Sequence, residues 1–209
     1  LDFIRVPERL CEILGDAMPD RVTTQDSRDH ADYVYSVPEL VALRGNKLHK
    51  KKNLLNQFLR TYDYEYKALT PECVEETLEM QRQWFSWRDP EESGALLAEN
   101  QAIVRVLQNW DRIPGLMGGA IRVAGEMVAY TVAEALTPEM LVIHFEKGRP
   151  GFKGIYQAIC QMFLADAGEG YALVNREQDL GDEGLRKAKL SYNPSGFLCK
   201  CKVSVAARR

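Results

Sequence analysis

Between Leu116 and Phe163 the sequence leaves a chain little freedom. Leu116 to Val123 and Met127 to Ala135 read as strands, and the link Ala124-Gly125-Glu126 is so short that it joins them as an antiparallel hairpin. A third strand follows from Leu141 to Glu146, with His144 and Glu146 on one face and Ile143 and Phe145 on the other. The turn KGRPGFKG then opens a helix striped by Ile155, Ala158, Ile159, Met162 and Phe163. Three strands followed by an amphipathic helix require a sheet with a helix packed on it, so the expected class is α+β. Backbone N–H groups at a glycine-containing helix start can bind an anion, which makes Arg149, Gly151, Lys153 and Gly154 candidate phosphate ligands. His144 is a candidate substrate contact and Glu146 a candidate proton acceptor. The plainer reading of the pair is a satisfied structural contact.

The flanking sequence supplies more elements. LDFIRVPERLCEIL reads as a short strand, a proline turn and a short helix, and Asp32 to Ser36 as another strand. Ser36 and Glu39 have capping-box spacing for a helix that Gly45 stops. GNKLHKKKNLLNQF predicts a helix with Leu48, Leu55 and Leu59 near one stripe. Lys47, Lys50, Lys51 and Lys52 make it the concentrated basic patch of the chain, either a solvated face or a cradle for phosphates. Tyr64 to Leu69 alternates like a strand, and Thr70-Pro71 begins a helix striped by Val74, Leu78 and Phe85. A further helix carries Leu96, Leu97, Ile103, Val104, Leu107 and Trp110. Trp84 and Trp87 either close a core or stack a base. At the end, Phe197, Cys199, Cys201, Val203 and Val205 alternate onto one face of a strand.

The stretch YALVNREQDLGDEGLRKAKLSYNP, Tyr171 to Pro194, has the grammar of a buried strand opening into a helix at a chemical site. Asp179 is expected to cap the helix, and Asp182 to pair with Arg186 four residues on. Arg186 and Lys189 share a face that could hold an anion. Asn175, Glu177 and Asp179 have one parity and would point to one side of the strand end, where burial without partners is costly. Candidate catalytic residues are Glu177, Asp179 and Arg186, with Asn175, Arg176, Lys189 and Tyr192 as substrate contacts. A cap with surface ion pairs is the alternative reading.

Composition removes several function classes. The 27 Lys and Arg against 30 Asp and Glu leave a formal charge of -3, so no global field draws the molecule to nucleic acid or anionic membrane. No run of 18 apolar residues is present and LDFIRVPERL lacks a signal-peptide pattern, so a cytoplasmic location is expected. The 5 Cys are an odd number at scattered positions, as for reduced thiols rather than a disulfide framework. With 3 His, none near Cys199 and Cys201, no metal site is expected. No Cys adjoins a His in a nucleophilic motif.

From Tyr64 onward the order is strand, two helices, three strands, turn and helix, strand, helix, strand, which resembles the GNAT-type acyltransferase fold. Arg149 to Gly154 loosely matches the pyrophosphate-binding turn of that family, Q/R-x-x-G-x-G/A. DYVYSVPELVALRGNKLHKKKNLLNQF, HFEKGRPGFKGIYQAI and NREQDLGDEGLRKAKLSYNP together resemble a bacterial family grouped with the phosphatidylglycerol lysyltransferase C-terminal domain. That family is similar to Fem-type aminoacyltransferases, which carry two GNAT-like halves in tandem. The resemblance implies that residues 1–60, with the basic helix, are the tail of a first half and residues 61–209 a second GNAT-like domain. It implies transfer of an aminoacyl or acyl group from aminoacyl-tRNA, or less readily from acyl-CoA, to an amine or hydroxyl on a small molecule or lipid headgroup. No other cofactor is expected. A non-catalytic module that binds tRNA or another ligand on the same fold is the rival reading.

Overall fold

The hairpin expected at residues 123–126 is present: Ala124 and Gly125 both have positive φ, 52° and 82°, and Val123 pairs with Glu126. Two successive positive φ values match the right-handed twist of the flanking strands. The computed structural model describes residues 1–87 and 94–207. In chain order its elements are β1 (Asp2–Pro7), α1 (Glu8–Ala17), β2 (Val22–Asp26), β3 (Asp32–Ser36), α2 (Val37–Ala42), α3 (His49–Thr61) and β4 (Tyr64–Ala68). They continue with α4 (Val74–Ser86), α5 (Gly94–Gln108), β5 (Met117–Val123), β6 (Glu126–Thr137), β7 (Met140–Gly148) and α6 (Ile155–Ala167). The chain closes with β8 (Leu173–Asn175), α7 (Glu183–Leu190), β9 (Gly196–Leu198) and β10 (Lys200–Val205). From β4 onward this is the element order of the GNAT-type fold.

Two compact units emerge, one made of Leu1–Ser36 with Leu173–Arg209 and the other of Val37–Ala172. The division does not fall near residue 60. α3 lies inside the second unit, where Leu55 and Phe58 bury their side chains with Ile155, Ala158 and Ile159 of α6.

In the second unit β4, β5, β6 and β7 form an antiparallel meander. Neighbouring strand residues feed opposite cores, as alternation requires. Ile121 joins the core with α3 and α6, whereas Ala120 joins Leu78, Trp84, Ile103 and Leu107 of α4 and α5. Helices therefore cover both faces. The α3 stripe differs from expectation: Leu48, Leu55 and Phe58 are buried, but Leu59 is exposed. Helical spacing puts Phe58, three residues after Leu55, on the buried face and Leu59 at its margin.

In the first unit β10 lies between β1 and β2, antiparallel to both, and α1 covers a small core of Val6, Cys11, Cys201 and Val203. β3 is separately flanked by β8 and β9, again antiparallel. The single terminal strand expected from Phe197 to Val205 is therefore two strands. Gly196–Leu198 pairs with β3 and Lys200–Val205 with β1 and β2, so Cys199 at the break is exposed while Cys201 is buried.

Candidate functional site

The strand-to-helix stretch of the first unit is held by a dense set of polar contacts. Asn175 is buried at the end of β8; its Nδ2 donates to Asp32 Oδ2 at 2.9 Å and its Oδ1 accepts the N–H of Glu177 at 2.7 Å. That short bond to the backbone two residues on lets Glu177 sit at φ 55°. The Lys189 ammonium donates to the carbonyls of Arg176, Glu177 and Gln178 at 2.6, 3.1 and 2.7 Å. Leu180 also has positive φ, and its N–H donates to the Asp29 carbonyl at 2.9 Å. Such a backbone persists only where its surroundings over-determine it.

Asp179 is 0% exposed. It accepts Nε and Nη2 of Arg186 at 2.9 and 2.8 Å, the Tyr33 hydroxyl at 2.5 Å and the Gly181 N–H at 2.9 Å, with Nη1 of Arg28 at 3.5 Å. Burial disfavours its charge, but the hydrogen bonds from Arg186, Tyr33 and Gly181 outweigh that and hold the carboxyl well below the usual carboxylate range. A carboxylate so stabilised is a poor proton acceptor, which corrects the catalytic role expected for Asp179. The cap is also reassigned: Asp182 caps α7, accepting the Leu185 N–H at 2.7 Å. Arg186 bonds to Asp179 and to Asp29 (2.7 Å) in place of the expected pair with Asp182. Lys189 is drawn in by the carbonyls of Arg176, Glu177 and Gln178, which converge around the positive-φ residue Glu177 and need a donor.

Beside this loop the Arg176 guanidinium lies over the rings of Tyr192 (4.9 Å) and Tyr35 (5.8 Å), and the Tyr35 hydroxyl donates to the Lys189 carbonyl at 2.9 Å. Tyr192 is buried beneath Arg176. Glu177 is half-buried.

In the second unit His144 interrupts β7. Ala133 pairs with Ile143 and Val132 with Phe145, so His144 is the extra residue of a β-bulge. The bulge removes the simple alternation that placed His144 and Glu146 together, and His144 Nε2 is hydrogen-bonded to Glu134 Oε1 at 3.0 Å. Glu146 lies opposite Thr131 with one carboxylate oxygen buried. In the following turn Arg149 donates to Glu126 at 2.8 Å and lies 5.6 Å from the centre of the Trp87 ring. The Tyr62 hydroxyl at the end of α3 donates to the Gly151 carbonyl at 3.2 Å and accepts the Lys153 N–H at 3.3 Å. Gly154 precedes α6 at φ 87°, and a Cβ there would stand 2.2 Å from the Leu54 carbonyl oxygen. Glycine is what lets the start of α6 sit on α3. The basic helix and the turn are consequently neighbours in one unit. Lys47, Lys50, Lys52 and Lys153 are exposed and Lys51 is half-buried.

Polar residues that the sequence did not single out lie nearby in the same unit. Lys147 is 6% exposed, its ammonium 2.8 Å from Glu99 and 4.2 Å from the centre of the Trp84 ring. Tyr130, across the ladder from Lys147, donates its hydroxyl to Gln81 at 2.5 Å, and Gln81 donates to Asn100 at 2.8 Å. Strand parity relative to Phe145 marks Lys147 as inward, but no local pattern names its partners. Arg28, Asp29, Asp32 and Tyr33, the partners of Asp179, Arg186 and Asn175, were missed for the same reason. Trp84 closes the core and Trp87 is exposed. Among the described residues there is no cluster of three or more metal-ligating side chains, and no helix is long and apolar enough to cross a membrane.

An α+β fold with GNAT-type element order from β4 onward thus carries an over-determined loop at the end of β8. The chain belongs to the family of the phosphatidylglycerol lysyltransferase C-terminal domain, which matches residues 1–198. A conserved protein of unknown function from Bacteroides thetaiotaomicron is 33% identical and superposes with a TM-score of 0.91, over 98% of this chain and 69% of that one. L-PGS from Bacillus licheniformis shares the fold at 14% identity and a TM-score of 0.70, over 100% of this chain and 68% of that one. An uncharacterised protein of Mycoplasmoides gallisepticum is 22% identical over 176 residues. That match takes in 83% of this chain and 56% of the relative's length.

Proposed function

We propose that this chain is a transferase that moves an aminoacyl group from aminoacyl-tRNA to an amine or hydroxyl acceptor, on a small molecule or a lipid headgroup. Membership of a lysyltransferase family supports the reaction class. The observation that carries the reading is the loop from Asn175 to Asp182. Its positive-φ residues Glu177 and Leu180 are fixed by Asn175, Asp179 and Lys189. Backbone strain maintained at such a cost is a property of binding and catalytic loops. With Asp179 committed to Arg186, Glu177 takes the role of proton acceptor for the attacking nucleophile, and Asn175, Arg176, Lys189 and Tyr192 hold or shape the substrate site around it. Glu146 of the second unit is the second choice of acceptor, with His144 as its substrate contact. Lys47, Lys50, Lys51 and Lys52, with the Arg149 to Gly154 turn, grip the phosphates of the donor.

The engagement of Asp179 with Arg186 also favours a second reading, a domain that binds its ligand without turning it over. The deciding experiment incubates the purified chain with lysyl-tRNA or acetyl-CoA, each with phosphatidylglycerol vesicles or free amines as acceptors. Transfer with lysyl-tRNA, reduced by about 10²-fold or more in Glu177→Gln, is the expected result. Retention of tRNA on the protein with no transfer to any acceptor would establish the binding module, and transfer from acetyl-CoA alone would replace the donor.

A further inference from the structure

The break between β9 and β10 delivers a cation to the loop that carries Glu177. Leu198, the last residue of β9, pairs with Asp32 of β3, and Lys200, two residues on, begins β10 opposite Pro7 of β1. The Lys200 ammonium donates to Asp32 Oδ1 at 2.5 Å and to Gln178 Oε1 at 3.5 Å. Asp32 and Asn175 are both buried. Asp32 Oδ2 accepts Asn175 Nδ2 at 2.9 Å, and Asn175 Oδ1 accepts the Glu177 N–H at 2.7 Å. All of these residues belong to the first unit.

The chain of donors and acceptors has one direction. A carboxylate only accepts, so Asn175 must turn its NH2 group to Asp32, and that leaves its oxygen for the Glu177 N–H. With the amide turned the other way, two acceptors would face each other at Asp32 and two donors at Glu177. A buried ion pair adds little net stability over apolar residues of like volume, so the fold alone does not call for one here. What the Lys200 charge adds is a fixed carboxylate, and through it a fixed amide and the φ of 55° at Glu177. We propose that Lys200 is a positioning residue, which through Asp32 and Asn175 sets where Glu177 stands. The inference rests on the reading of Glu177 as the proton acceptor of the transfer, and it adds to that site a residue from outside the Tyr171 to Pro194 stretch. The role needs no contact between Lys200 and the substrate.

The test measures, on the full chain, steady-state transfer from lysyl-tRNA to phosphatidylglycerol vesicles or free amines, together with hydrogen exchange of the Glu177 amide. Lys200→Met is expected to lower kcat by roughly 10–10²-fold with KM for lysyl-tRNA unchanged, since a misplaced group costs turnover more than binding. It should add nothing to the loss in Glu177→Gln, because it acts through a group already removed. Exchange of the Glu177 amide should accelerate in Lys200→Met, and Lys200→Arg should keep both readouts near wild type. Full additivity of Lys200→Met with Glu177→Gln overturns the proposal, as does wild-type exchange at Glu177 in Lys200→Met. Should Lys200→Met fold poorly, the double variant Lys200→Met, Asp32→Asn, which leaves no unpaired buried charge, takes its place in both measurements. If the wild-type chain transfers nothing, the proton-acceptor reading fails by itself, and exchange at Glu177 still decides for or against Lys200 as the residue that fixes it.

Discussion

Arg186 closes on both carboxylate oxygens of the fully buried Asp179, Nε on Oδ2 and Nη2 on Oδ1, while the same Nη2 reaches the exposed Asp29. A buried charge that loses its partner is costly, whereas its exposed neighbour is easily rehydrated. Arg186→Leu therefore lowers the unfolding midpoint far more than Asp29→Ala does. Asp179→Ala costs about 3 kcal/mol, by urea denaturation. Equal effects of Arg186→Leu and Asp29→Ala would mean that the bond to Asp179 contributes little.

The same carboxylate gives the fold an acid limit. Its pKa is depressed in the folded chain, so on acidification the unfolded chain takes up this proton first, at a pH of about 4. The Asp179 contribution is complete above that value and falls away below it, toward the lower folded pKa. Thermal unfolding followed from pH 7 down to 2.5 should show a smaller acid loss in Asp179→Asn than in wild type. A parallel pair of curves excludes Asp179 as the main acid-sensitive group.

Lys189 holds three carbonyls that have turned inward. Lys189→Met keeps most of the stem and deletes the donor, at an expected cost of about 2 kcal/mol. Amide exchange should accelerate first from Arg176 to Gly181. Uniform acceleration over the first unit would show that the ammonium stabilises the whole unit instead of pinning one loop.

Gly154→Ala drives a methyl group into the Leu54 carbonyl at a positive φ. Strain and collision together are worth about 2–3 kcal/mol, lowering the denaturant midpoint, and α3 should separate from α6 where it does. Wild-type stability in this variant would show that the helix start shifts freely.

Replacing Lys47, Lys50, Lys51 and Lys52 with Ala should flatten the salt dependence of tRNA binding. Every phosphate that is no longer neutralised reduces the slope of log K against log salt by about 0.7–0.9. An unchanged slope would leave the exposed face of α3 merely solvated.

Much of the fold was legible because each element is specified locally. Ala124-Gly125 forms the hairpin, and the stripe of Ile155, Ala158, Ile159 and Phe163 faces the core. The site was legible as a stretch but not as a set of contacts. Asp179 meets Tyr33 and Arg28 across about 150 positions, and nothing near Asp179 encodes those partners. The bulge at His144 shifts parity by one residue, and the break at Cys199 sends β9 and β10 to different partner strands, neither of which a regular alternation can anticipate. β2, a short and largely exposed strand, left too weak a pattern to be read.

The unit of Leu1–Ser36 and Leu173–Arg209 is discontinuous, whereas Val37–Ala172 is contiguous. On the ribosome the contiguous unit has all of its strands and helices before β8 is made, and it can collapse early. Arg28, Asp32 and Tyr33, though synthesised before the contiguous unit, wait for Asp179, Asn175 and Lys200 before their charges and hydroxyl are matched. During that interval β1, β3 and α1 expose side chains destined for burial. Nascent chains of this protein are thus most exposed to chaperones and proteases over β1, α1 and β3, and a chain stalled before β8 would be recognised there.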